Sequence, residues 1–464
     1  MKNKYRIFII ALIVVAASAA LIYWQSNKNT IIENRIDKVV TKKSGSLFSI
    51  TYDSSFIDEL NGNAFFYNVS LSPDTMLAKS QDVKNVFKVS IAEVAIKGAN
   101  IIGLLTGTTL QAHSLQFINP IFEIENRNQQ AQPYSKDDTL ALYEKLLGKY
   151  NSIKADEIIV NNGSVKILNS YNNTLTTLKQ IDINLANFKI DSTKDYENLV
   201  SYFVKGLEAR VGSITGGPRL SPGYLLDQIN YSATNRKMTV QNFRVFKNKE
   251  VVTNLKNLSI DGLETGIFLR EQRIVANELK TAGGQVTIYR KKGNKLNALE
   301  TDSTVFDKAK IRKVEIGKSR VVIINKDKPG DAPFVLNDVE FTATDIPEVD
   351  GTFTKSIAAS NWLIRGSGIK SLTENKGYNI NIGPYVLDKG RMFATVENFS
   401  IKPKLTEAAF VKSLKVQADY FQVEGHSLAI KNINFEEAFS KQSLLASEVS
   451  FRPSIKIYND RTLP

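Results

Sequence analysis

The chain has no cysteine and only two histidines, His113 and His426, in 464 residues. The first absence excludes disulfides, thiolate zinc sites and a cysteine nucleophile. The second leaves little for imidazole-based metal binding or general-base catalysis. Phosphate-cradling glycine loops are missing too. Gly317-Lys318-Ser319 has the close of a P-loop, but Arg312 stands where the first glycine is required. Gly366-Ser367-Gly368 lacks the third glycine of a dinucleotide fingerprint, with Ser371 in its place. Both read as turns. The neighbouring carboxylates Asp137-Asp138 and Glu436-Glu437 point different ways on a helix start and read as favourable charges near helix N-termini. No acid, base and nucleophile can be assembled from these residues, so no enzymatic activity, small-molecule substrate, metal or cofactor is expected.

Long apolar runs are equally scarce, with one clear case. After Lys2, Lys4 and Arg6, the stretch from Ile7 to Trp24 carries no charge and as a helix would measure about 27 Å, enough to cross a bilayer core. It predicts a membrane anchor over residues 1–26, with Ile7, Ile10, Leu12, Val15, Leu21 and Trp24 in or at the edge of the lipid and the basic N-terminus in the cytoplasm. The competing reading is a cleaved signal peptide, because Ala17-Ser18-Ala19 offers a small-residue cleavage site. Both readings export the rest of the chain. A net charge of +13 invites a nucleic-acid partner, but export and the lack of an arginine-rich module argue against one. The lysines are spread along strand-like segments as a solvated face, and their excess fits attraction to anionic lipid surfaces.

What the exported part has in quantity is alternation. Apolar and polar residues alternate over 89–98, 181–190, 251–263, 319–326, 337–346 and 394–403, and the whole predicts about 20 to 25 strands. One pattern recurs, counted from an alanine: "ADEIIVNNGSVKILNS" from Ala155, "ANELKTAGGQVTIYRK" from Ala276, "ASEVSFRPSIKIYND" from Ala446, with looser echoes from Ala112 and Ala418. Apolar pairs fall near its end, at Phe122 and Ile124, Val165 and Ile167, Val286 and Ile288, Leu428 and Ile430, Ile455 and Ile457. The copies read as repeated hairpins. A smaller motif places an asparagine or aspartate before an alternating trio, as in Asn68-Val69-Ser70-Leu71, Asn257-Leu258-Ser259-Ile260, Asn337-Asp338-Val339, Asn398-Phe399-Ser400-Ile401 and Asn432-Ile433-Asn434-Phe435. It predicts sheets with one apolar and one polar face.

Helical stripes are expected over 135–150, opened by Ser135 and Asp138, and over 192–214, with Tyr196, Leu199, Val200, Phe203, Val204 and Leu207 on one side. The segment "TGGPRLSPG" at 215–223 reads as the internal boundary, separating a first β-repeat region (27–214) from a second (224–464). The predicted class is mainly β with a few α-helices, behind an N-terminal transmembrane helix.

The segment "VSIAEVAIKGANIIGLLTGTTLQAHSLQFINPIFEIE" (89–125) resembles the N-terminal part of AsmA-like envelope proteins, the AsmA/TamB type. There a strand meets a leucine-rich turn, here Ile101-Ile102-Gly103-Leu104-Leu105, and then a proline-headed continuation, here Asn119-Pro120-Ile121-Phe122. "IIVNNGSVKIL" and "LKQIDINLANFKID" resemble the family's recurrent hairpins, and residues 48–75 are similar to the opening of versions found in Bacteroidota. The resemblance implies a single-pass inner-membrane protein of a Gram-negative cell, with a periplasmic repeat β-sheet curved into an elongated groove. It implies phospholipid as the bound partner and a role in outer-membrane assembly or homeostasis, with envelope assembly proteins as further partners. The ten apolar residues at the ends of the repeats are the expected groove-lining positions. If instead a second sheet or the helices cover them, they are ordinary core and the protein is an envelope scaffold.

Overall fold

The structure is a computed structural model and describes residues 48–74, 76, 85–99, 109–126, 152–191, 206–217, 223–247, 250–271, 273–290, 309–327, 333–348, 353–372, 377–413, 419–440 and 443–458. The expected anchor, with Ile7, Ile10, Leu12, Val15, Leu21 and Trp24, lies outside these residues, as does the expected helix over 135–150. Among the described residues no helix is long and apolar enough to cross a membrane.

The chain divides into two compact units, Met1–Gly212 and Ser213–Pro464. The first holds β1 (Phe48–Thr51), β2 (Ser54–Asp58), β3 (Asn63–Pro73), β4 (Asn85–Lys97), β5 (Thr109–Ile118), β6 (Ile121–Asn126), β7 (Ser152–Asn169), β8 (Thr174–Asp191) and the start of β9 (Leu207–Gly216). The second holds β10 (Gly223–Ser232), β11 (Lys237–Lys247), β12 (Glu250–Asp261), β13 (Val275–Thr281), β14 (Gly283–Arg290), β15 (Lys310–Asn325) and β16 (Phe334–Thr344). It continues with β17 (Asn361–Gly366), β18 (Gly368–Leu372), β19 (Tyr378–Ile382), β20 (Tyr385–Asp388), β21 (Phe393–Pro403), β22 (Tyr420–Lys431) and β23 (Glu448–Tyr458). Its short helices are α1 (Thr265–Glu271), α2 (Phe353–Ala359), α3 (Glu407–Ser413) and α4 (Phe435–Ser440). The protein is mainly β, built from a repeated sheet, as the alternation predicts.

Within each unit the ladder follows chain order. Several strands are long strands broken in the middle: β5 and β6 both pair with β4 and both pair with β7, and β13 with β14 bridges β12 and β15 in the same way. Most neighbours are antiparallel, but β5 and β6 run parallel to β7, and β13 and β14 parallel to β15. This corrects the hairpin reading of the repeat. Ala112 lies directly beside Ala155, Phe122 beside Val165 and Ile124 beside Ile167, so two copies are parallel neighbours in one register. A parallel pair needs a crossover of a dozen residues or more, and residues 127–151 supply that length. β15 is a further copy that sequence reading missed, because Ile311 rather than alanine pairs with Ala276.

The asparagine motif marks the breaks. Asn68, Asn257, Asp338 and Asn398 have φ of 52°, 50°, 48° and 50°, in the left-handed region that asparagine and aspartate tolerate better than branched residues. Each sits at a break where apolar alternation skips three positions instead of two: Phe66 to Val69, Leu255 to Leu258, Leu336 to Val339, Val396 to Phe399. The pairing register runs unchanged across Asn68, Asn257 and Asn398 and shifts as a bulge beside Asp338. The left-handed residue re-phases the strand, so apolar residues before and after the break return to one face. The breaks align from strand to strand and form a bulge line, with true register shifts where it crosses β7, β15 and β22. Asn162 donates from its side-chain amide to Asn119 Oδ1 (2.8 Å), and its backbone N–H donates to Asp182 Oδ1 (2.8 Å). Gly317-Lys318-Ser319 and Gly366-Ser367-Gly368, read above as turns, lie on this line as the bulge of β15 and the break between β17 and β18.

Two further expectations change. Residues 207–214 are strand β9 rather than the end of a helix. Val211 and Ile214 favour a pleated surface, and Gly206 passes so close to Ala186 that a Cβ there would lie 2.8 Å from its carbonyl oxygen. Thr215 and Gly216 finish β9 and Gly223 opens β10, so most of the described part of the predicted linker belongs to strands.

Candidate functional site

The bulge line divides each strand of the second unit into two halves, and the halves pack differently. On the side where α1, α2 and α4 lie, the apolar face is a buried core. Ile260 pairs with Leu279, Leu279 with Val314, Val314 with Ala343 and Ala343 with Trp362. Leu263, Phe353 and Phe435 close over these rows from the helical connections, and Phe435 meets the Trp362 ring edge-on at 5.0 Å. Ala343 is 0% exposed and Trp362 6%.

Beyond the bulges the same face carries equally apolar rows. Val286 pairs with Val321, Val321 with Leu336, Leu336 with Ile369, Ile369 with Ile382 and Ile382 with Phe399. A second row sets Ile288 beside Ile323 and Phe334, and a third sets Ile380 beside Ile401, Val423 and Ile455. These side chains are half-buried or exposed, and none belongs to the buried cluster. Every described strand is part of the in-order ladders, so within this unit no second sheet of described strands covers the stripe. β15 departs from the one-sided pattern, since Val322 on its other face is buried as well.

The ten predicted positions therefore fall into three places. Val286, Ile288, Ile455 and Ile457 lie in the second unit's stripe, with Ile455 and Ile457 exposed on its last strand. Leu428 and Ile430 lie on the helix side of the bulge, paired with Phe451 and Val449, and Ile430 packs against the core. Phe122, Ile124, Val165 and Ile167 form a corresponding pair of rows in the first unit, where Val89 and Leu178 extend one row and Phe87 the other. Sequence reading missed Val321, Leu336, Ile369, Ile382 and Phe399. The three-residue skip in the alternation is the signal that marks them.

The opposite face is a lattice of charge. Lys313 lies between Glu278 (2.9 Å) and Glu315, and Lys280 reaches Glu315 at 3.0 Å. Hydrogen bonds from Lys313 and then Lys280 hold the Glu315 carboxyl below its ordinary value, and Glu278 and Glu315 hold the Lys313 ammonium above its own. A depressed carboxylate stabilises the fold fully above its unfolded value, near 4.5, and that contribution is lost as pH falls through the lower folded value. Glu315→Gln is therefore expected to destabilise the protein at neutral pH and to match the parent in strong acid, which urea unfolding at a series of pH values would show.

The histidines build no site. His113 Nδ1 lies 2.7 Å from Asp156 Oδ2 with both side chains exposed, and His426 Nδ1 lies 3.4 Å from Asn398 Oδ1 on the bulge line. Glu436 and Glu437 stand in the first turn of α4, as expected for charges at a helix start, and Asp137 and Asp138 lie outside the described residues. Among the described residues no group of three metal-ligating side chains occurs. A comparison with protein-family models finds no match, and no curated protein matches the sequence.

Proposed function

We propose that the chain is a single-pass inner-membrane protein of a Gram-negative cell, held by residues 7–24, whose periplasmic part binds or helps transfer phospholipid along its apolar stripe. Bulges bend strands, and in this reading the shifts in β15 and β22, with the left-handed breaks between them, turn the apolar face into the lining of a groove. The observation that carries the reading is the contrast within each strand: one half joins a closed core, while the other presents matched Val, Ile, Leu and Phe rows that a described helix meets only at one end, where Phe410 of α3 lies on the Tyr378 ring beside Phe421 and Ile457. From β14 to β23 those rows cross eight strands, about 34 Å at ~4.8 Å per strand. That exceeds one leaflet of a ~30 Å hydrocarbon core, so an acyl chain can lie along the stripe with its head group in water. The net charge of +13 and the resemblance to AsmA-like proteins agree with lipid handling in support of outer-membrane assembly.

The test is lipid extraction and mass spectrometry on fragment 27–464, exported and purified without detergent. The fragment keeps every described residue. About one phospholipid or more per chain supports the proposal. A folded, lipid-free fragment refutes it and favours a non-enzymatic envelope scaffold.

A further inference from the structure

β23 pairs with β22 on one side, and among the described residues nothing pairs with its other edge. Its eleven residues are exposed along almost their whole length, including Val449 at 59%, Ile455 at 54% and Ile457 at 65%. Free edges are ordinarily blunted by charges, proline or a covering element; β23 carries Glu448, Arg452, Pro453 and Lys456, but among the described residues no element covers it. Its apolar pattern is symmetric about Pro453. Phe451 and Val449 lie two and four residues before it, and Ile455 and Ile457 two and four residues after it.

We propose that β23 pairs antiparallel with β23 of a second copy of this chain, about a two-fold axis at Pro453. In that register Val449 faces Ile457 of the second copy and Phe451 faces Ile455, so each apolar residue meets an apolar one across the strands. On the other face Ser450 lies opposite Lys456, Arg452 opposite Ser454 and Glu448 opposite Tyr458. No like charges stand directly opposite; Glu448 is diagonal to Lys456 of the second copy, and Arg452 is diagonal to Arg452 and Lys456 of the second copy. Within one copy Glu448 already binds Lys431 at 3.0 Å and Lys456 approaches Glu407 at 3.8 Å, so the diagonal contact is shared with these. Pro453, at the axis, has no N–H to leave unpaired. The pairing sets the stripe end of one copy, Ile455 and Ile457, against the helix-side end of the other, Phe451 and Val449, and it holds whether or not the stripe carries lipid.

The absence of cysteine makes the test clean. Directly opposed residues in an antiparallel pair are about 4.5–5.5 Å apart at Cα, within disulfide reach. In the full-length chain, oxidised in the membranes of its expression host, Pro453→Cys is expected to give a dimer of twice the chain mass on non-reducing gels. Ser450→Cys places its thiols about 20 Å apart along the strand and is expected to give at least ten-fold less. Ile455→Lys added to Pro453→Cys is expected to remove the dimer. Equal cross-linking at 450 and 453, cross-linking only to another protein, or a cysteine-free chain that is monomeric by light scattering at micromolar concentration would each overturn the proposal.

Discussion

Trp362→Ala is expected to lower the unfolding free energy of the second unit by about 3–5 kcal/mol, the usual cost of deleting a large buried aromatic side chain. Trp362 is the last member of the Ile260–Leu279–Val314–Ala343 row, and its ring is the surface on which Phe435 of α4 lies. Ala343, its cross-strand neighbour, is fully buried, so little side-chain motion can fill the space. Removing the indole also loosens α4, a six-residue helix too short to be stable in isolation. Urea unfolding followed by far-ultraviolet circular dichroism would measure the loss. A cost under about 1 kcal/mol would mean that the helix-side half is not the packed core described above.

Gly283→Val should cost about 2–5 kcal/mol, combining ~1–2 for a side chain at positive φ with ~1–3 for overpacking. Gly283 has φ 107°, and a Cβ at this position would lie 2.1 Å from the Lys318 carbonyl oxygen. The clash is with the backbone of β15 at the point where the parallel pairing of β13 and β14 changes over, so relief requires the two strands to part. Gly283 N–H also donates to Thr281 Oγ1 at 2.9 Å, which fixes the break. The same measurement applies, with loss of amide protection at Val286 and Val321 as a second readout. A fully stable Gly283→Val protein would show that the bulge line tolerates widening and does not set the strand geometry.

Much of this architecture is legible in the sequence, and the illegible parts have identifiable causes. The alternating segments 89–98, 251–263, 337–346 and 394–403 lie in strands but for one or two residues at the ends of the first three, because one face is apolar throughout and period two survives on each side of a break. The bulges themselves were visible only as the recurring asparagine. Read as one more member of an alternation it places Asn257 on a polar face, whereas its φ of 50° marks the left-handed residue that inverts the alternation. Pairing direction could not be read, since Ala112 and Ala155 look alike whether their strands are parallel or antiparallel. The helical stripe at 192–214 failed at Gly206, where helix-period and strand-period apolar residues overlap. For the site, Val286 and Ile288 were found from the repeat, but Leu428 and Ile430 match the same spacing and lie across the bulge line, because β22 runs antiparallel to its neighbours.

The central claim is that the stripe beyond the bulges is a lipid-facing surface and not a second core. The most direct test is Val286→Asp in fragment 27–464, with lipid content and unfolding free energy measured on the same preparation. The expected result is a loss of at least ten-fold in bound phospholipid with a stability change of only about 1 kcal/mol, because a half-exposed carboxylate can stay hydrated. A stability loss of several kcal/mol, or an unchanged lipid content, would contradict the claim.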